Sequence, residues 1–320
     1  MSGNVSSNTT NLVRQQVYSD MVLLPILDKL LGEGIVTDLS EFGDGDTINV
    51  PVIGECEVHD YAENQDAQYD PISTGRFTMT ITEYKESGHY MTDKLKMDGR
   101  QANLLFAQMA EKERRAILEA YETSILSIQS AQTASDPNNI NGVPHRFVAS
   151  GTNDEIVLED FANVAYAMTK ANIPAEGRIA IVDPFVATSL DKTTNIVNVT
   201  NNPQFTGLLE KGMLTPGMEF ARELYGIKVV VSNRLATVAS ETVSGNAVSN
   251  AKAALFMSIA SDQTRPIARA WRLMPTVEAT RNASKGRDEM HTRARWGRGL
   301  LRPDGLVVCL GAVPSSGFGF

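Results

Sequence analysis

Thr47-Ile48-Asn49-Val50-Pro51-Val52 and Phe77-Thr78-Met79-Thr80-Ile81-Thr82 decide how this chain is read. Both runs alternate apolar with polar residues, the pattern of half-exposed strands. Between them lies a loop that reads as acidic and aromatic-poor, with Asp60, Glu63, Asp66 and Asp70, and directly after them comes a long, charged helix. The strands and loop predict a β arm over about 43–90 with little to bury. A two-stranded arm is marginal alone in water. It needs another surface, and a neighbouring copy of the chain is the surface expected. That points to an assembly protein rather than a catalyst.

The totals agree with a soluble globular chain. At 320 residues, 42% hydrophobic and 21% charged, it has core enough for two domains. A net charge of -9 argues against general nucleic-acid binding, which needs a basic face to neutralise phosphates. An acidic protein can still enclose nucleic acid without gripping it. The two cysteines, Cys56 and Cys309, lie in apolar, strand-like surroundings and read as separate, buried, reduced thiols, with a disulfide between them as the alternative. The N-terminal residues carry no basic-then-apolar secretory pattern. No apolar run is long enough to span a bilayer, so a cytoplasm-like compartment without a membrane partner is expected.

Along the chain, residues 1 to about 20 are polar and read as an arm, followed by a short amphipathic helix with Met21, Leu24, Leu27, Leu30 and Leu31 on one side. Asp98 with Gln101 three residues on resembles a capping box. From there Phe106, Ala110, Ile117, Tyr121, Ile125 and Ile128 recur at helical spacing, predicting one buried stripe along a helix of about 50 Å that reaches Gln132. Glu111, Lys112, Arg115, Glu119 and Glu122 are assigned to its solvated face. Helix and strand then alternate: a helix from Leu158, a buried strand Arg178–Val182, a helix from Pro184, a buried strand Ile227–Val231, a loop over 240–250 and a strand from Ala253. This is a domain with a central sheet. From Arg265 the segments alternate like strands but are basic, and Leu306–Leu310 closes as a core strand.

The search for chemistry comes back empty. His59, His89, His145 and His291 have no partners at ligand spacing and read as surface or loop residues. Asp44-Gly45-Asp46 fails as a calcium loop at Ile48 and Asn49. Phosphate-loop, dinucleotide and nucleophile-elbow patterns are absent. Neither an enzyme nor a cofactor is expected. One constellation remains: Arg265, Arg269, Arg272, Arg281, Lys285, Arg287, Arg293, Arg295, Arg298 and Arg302 crowd the stretch before the last strand, with only Glu278, Asp288 and Glu289 as acids among them. It reads as a solvated basic face, as a nucleic-acid groove with Trp271 and Trp296 interleaved, or as a surface that receives the acidic arm of a neighbouring subunit.

The order of these parts resembles the major capsid proteins of tailed double-stranded DNA bacteriophages, whose fold encapsulins share. The stretches carrying the resemblance are Gly45–Pro51, Gly177–Pro184, Tyr225–Asn233 and Leu301–Val308. It implies an α+β chain built from an N-terminal arm (1–42), an extended β loop (43–90), a peripheral domain with a spine helix (91–150 and 263–320) and an axial α/β domain (151–262). It further implies hexamers and pentamers of an icosahedral virion shell, assembled in the host cytoplasm around double-stranded DNA. A scaffolding protein and a portal protein are the implied partners, with room for a decoration protein. An encapsulin-like shell, a cytoplasmic α/β enzyme and a nucleic-acid-binding module remain the alternatives.

Overall fold

The computed structural model describes residues 31–313, apart from 33, 42–44, 55, 57, 62, 65, 67–68, 70, 100–101, 133–136 and 193–222. The polar arm of residues 1 to about 20 and, except for Leu31, the amphipathic helix expected after it lie outside these residues.

Two long strands organise one half of the molecule. β13 (Ile267–Asn282) and β14 (Arg287–Leu300) pair antiparallel through a short 3-10 turn. β4 (Glu83–Thr92) adds to β14, and β1 (Val36–Asp38) lies parallel to β13, giving the order β1-β13-β14-β4. The arm therefore ends earlier than its sequence pattern suggested: Glu83–Thr92 is an edge strand of this body sheet. From Glu289 to Trp296, β14 alternates in burial. Met290, Thr292, Ala294 and Trp296 are buried, while Glu289, His291, Arg293 and Arg295 face the other way.

The buried face carries the spine helix, α2 (Ala102–Leu126). Ile117, Tyr121, Ile125 and Ile128 are buried as the spacing predicts, whereas Phe106 and Ala110 are only half-buried. Tyr121 stacks on Trp271 at 4.7 Å between ring centroids and meets Trp296 edge-on at 5.8 Å. Such pairs add about 0.5–1.5 kcal/mol beyond area burial. Both tryptophans are thus core residues, not rings laid along a basic groove.

Three expectations about this helix need correction. It has 25 residues and spans about 37 Å, then tightens into the 3-10 turn Ser127–Ala131. Asp98 does not cap it: Asp98 ends a separate short helix, α1 (Asp93–Asp98), whose cap is the Thr92 hydroxyl accepting from Leu95 N–H. Glu122 is buried rather than solvated, and Leu31 N–H donates to its Oε2 at 2.8 Å. The chain entering β1 covers that flank, so the buried arc is wider than one stripe.

The second half is a sheet in the order β7-β15-β12-β8-β10-β9, with β11 paired to β12. Its strands are β7 (Arg146–Val148), β8 (Arg178–Val182), β9 (Glu223–Leu224), β10 (Ile227–Val231), β11 (Thr237–Val243), β12 (Asn246–Ser258) and β15 (Leu306–Ala312). One face packs toward the spine through Ile181, Leu255 and Val308. The other lies against α3 (Leu158–Lys170) and α4 (Pro184–Lys192) through Ala180, Phe256 and Val307. Burial on both faces is why Leu306–Leu310 and Arg178–Val182 read as continuous apolar runs. β10, expected as a buried strand, is buried fully only at Ile227. The loop expected over 240–250 is instead the β11–β12 hairpin, turned at Ser244 (φ 50) and Gly245 (φ 86). Two successive left-handed residues make the tight turn whose twist suits a hairpin.

Candidate assembly surfaces

The arm is the antiparallel ladder of β2 (Thr47–Ile53) and β3 (Thr74–Thr80). Ile48 pairs with Met79, Val50 with Phe77 and Val52 with Gly75, so these residues share one face. The root of that face packs onto the side of the body sheet away from the spine, where Met79 meets Ala268 and Ala270. Gly297 and Gly299 complete a platform of small residues. A Cβ on Gly297 would lie 3.0 Å from Ile81 Cα, and one on Gly299 would lie 2.6 Å from the Phe77 ring. A side chain at Gly297 would press on the arm backbone, and one at Gly299 would displace the Phe77 ring.

This root fixes a direction. Ile81 lies over Gly297 and Phe77 over Gly299, so the ladder runs toward its tip past the Leu300 end of β14. Arg295, Arg293 and His291 lie the other way along the strand. The arm also leaves the body quickly. Val52 is 47% exposed and Ile53 74%, and at the tip Val58 is 94%, Tyr61 89%, Tyr69 91% and Ile72 63% exposed. Cys56, expected to be buried, stands exposed on this loop, while Cys309 is buried with its thiol pKa pushed well up by desolvation. Asp60, Glu63 and Asp66 are exposed at the tip among these side chains; Asp70 lies outside the described residues. The loop read as aromatic-poor therefore presents two exposed tyrosines beside its acids, a correction to the reading that rested on the charges alone.

The basic stretch is less basic in space than in sequence. Arg281 makes a two-pronged contact with Asp93 at 2.6 and 2.7 Å and reaches Asp288 at 2.8 Å. That guanidinium holds both carboxyls below the ordinary aspartate range. Lys96 also bonds Asp288. Arg287 pairs with Glu289 at 2.6 Å and lies over the Tyr90 ring, and Arg293 faces Glu86 at 3.5 Å. Lys285 sits exposed in the turn of the β13–β14 hairpin, and Arg295 is opposite Tyr84. β4 and α1 thus deliver acids, far away in sequence, to the hairpin's cations. What remains is a mixed outer face: Arg295, Arg293 and His291 on β14, Tyr84, Glu86 and Tyr90 on β4, and Leu273 and Glu278 on β13.

The histidines divide. His59 is exposed, and His291 bonds Glu278 at 2.8 Å on the outer face. His89 Nδ1 lies 2.7 Å from the carboxylate of Glu113, which is buried on the spine and also accepts from the Thr292 hydroxyl at 3.1 Å. His145 corrects the surface assignment. It is fully buried, its Nδ1 is 3.0 Å from Val143 O, and burial pushes its pKa down. Among the described residues no cluster of His, Cys, Asp and Glu is placed to hold a metal ion.

A rooted arm, an aromatic-packed spine and a central sheet buried on both faces form one layout, and the comparisons with known proteins agree with it. The family model of the phage capsid protein matches residues 78–309. The chain belongs to the phage capsid protein family. No curated protein matches it. Among solved structures the fold is similar to a chain from Mycobacterium phage Che8, with 19% identity, a TM-score of 0.66, and 93% of this chain and 97% of that one covered. The capsid of cyanophage P-SCSP1u gives 15% identity and a TM-score of 0.72 over 97% and 95%. The mature capsid of bacteriophage PhiM1 gives 11% and 0.72 over 93% and 92%. The protein is a structural capsid protein of the virion with the α+β tailed-phage major capsid fold, and not an enzyme.

Proposed function

We propose that this capsid protein assembles into hexamers and pentamers of an icosahedral shell that encloses double-stranded DNA. Assembly takes place in the host cytoplasm with a scaffolding protein and a portal protein. In this reading the half with the spine helix is peripheral in each capsomer and the α3–α4 half is axial. The observation that carries it is the arm: its root is pinned on small residues while its outer half and tip stand clear of their own subunit. A chain of the capsid family with such an arm supplies part of a neighbour's surface. A net charge of -9 also suits DNA that is enclosed rather than gripped.

The acids Asp60, Glu63, Asp66 and Asp70 of the arm are proposed to face Arg281, Lys285, Arg287, Arg293 and Arg295 of the adjacent subunit. Each exposed pair contributes only about 0–1 kcal/mol, so their role is register and partner choice. Sedimentation and negative-stain microscopy of the purified protein test this. Capsomers or shells are expected from the wild type. Glu63→Lys with Asp66→Lys should impair assembly of a folded subunit, and Arg287→Glu with Arg293→Glu in the same chain should partly restore it. A chain that stays monomeric at high concentration would contradict the reading.

A further inference from the structure

We infer that the arm is held on its neighbour mainly by apolar contact: Tyr61 and Tyr69 of the tip seat on the outer sheet face of a second copy, around Tyr84 and Leu273. The inference rests on the capsid reading above and names the anchor within it.

Four observations lead to it. Tyr61 and Tyr69 are almost fully exposed, as is Val58 of the same loop, so the tip offers large rings to water that its own subunit does not cover. A buried aromatic ring removes roughly 150–250 Å² from water, so covering these rings on a partner would be favourable. The root geometry sends the tip away from its own outer face, since the ladder advances from Gly297 to Gly299 and not toward Arg293. The receiving face must then belong to another molecule.

The outer face matches the tip in both respects. Tyr84 and Leu273 stand exposed on it, on β4 and β13. Arg295 lies between them, opposite both in the ladder. Arg293 continues the same row, with Glu86 as its partner. An apolar tip carrying Asp60, Glu63 and Asp66 meets an apolar patch crossed by guanidinium groups. Arginine stacks readily on tyrosine, as Arg287 already does over Tyr90 at 4.3 Å. Rings fill the centre and the charges form the rim, the arrangement in which a few aromatics carry most of the binding. A second copy is the partner because this is a capsid protein and the tip and patch complement each other in charge.

The test uses the full chain with two readouts. In sedimentation, Tyr61→Ser with Tyr69→Ser should raise the concentration needed for assembly by about tenfold or more. The rise should persist at about 1 M salt, where the Debye length falls to about 3 Å. The charge variant Glu63→Lys with Asp66→Lys should lose most of its defect there. Tip residues touch little of their own fold, so circular dichroism of the serine variant should match wild type. Separately, a photo-reactive benzoylphenylalanine in place of Tyr69 should crosslink to a second copy, at peptides containing Tyr84 or Leu273. Assembly of the serine variant at the wild-type concentration, or crosslinks confined to the same chain or to another surface, would overturn the inference while leaving the capsid role intact. A wild-type chain that never associates would overturn both.

Discussion

At the scale of single residues, the buried polar groups show what position along the chain conceals. Glu122 looks like a member of a solvated helical face, and Glu113, four residues before Ile117, is a charge set on the apolar stripe. Each is buried because its partners come from elsewhere: Glu113 meets His89 and Thr292, and Glu122 accepts from the Leu31 backbone. His145 is similar. Its neighbours in sequence are ordinary turn residues, and only the strand packing closes over it. Burial lowers its pKa, outweighing the opposite pull of the Val143 carbonyl and of Asp304. An unfolded imidazole takes up a proton near pH 6.5, so below that pH the unfolded chain binds more protons than the folded one. Stability should therefore fall as pH drops from about 6.5 toward 5. The carboxyls of Asp93, Asp288 and Glu289, held low by Arg281 and Arg287, lose their contribution in a separate, more acidic window. Thermal unfolding of His145→Gln across pH should show a flatter decline between about pH 6.5 and 5 than wild type. An unchanged slope would show that His145 is not the group responsible.

At the scale of elements, periodicity was legible wherever one face or both faces are buried. The C-terminal part of the spine stripe from Ile117 to Ile128, the helix from Leu158, Arg178–Val182 and Leu306–Leu310 read correctly for that reason. The β11–β12 hairpin did not, because its serines and asparagine resemble loop composition and half its residues face solvent. The end of the arm was misjudged because Glu83–Thr92 is polar and mostly exposed like the arm before it, although it pairs with β14 of the body sheet. For the spine, Ile117 is buried against the β13–β14 sheet. Ile117→Ala should cost about 2–5 kcal/mol, measured as a lowered urea midpoint, and should reduce soluble yield before it alters any assembly. A variant as stable as wild type would mean that the helix buries a different face.

At the scale of the whole molecule, the layout was readable from the order of its parts, and the distribution of charge was not. Arg281, Arg287 and Arg293 crowd together in sequence, yet Asp93, Glu289 and Glu86 reach them in space. The surface they form is an alternating one with tyrosines exposed in it. The arm shows the reverse: its acids were evident, while Tyr61 and Tyr69, equally plain in the sequence, acquire their meaning only from the direction of the root. Small residues at Ala268, Ala270, Gly297 and Gly299 set that direction, and it leaves the tip without a surface of its own. Cryo-electron microscopy of assembled particles tests this most directly. The account predicts capsomers in which residues 54–73 of each subunit lie across the β4–β14 face of the next. Arms folded back on their own subunits, or tips standing free in solvent within an assembled shell, would contradict it.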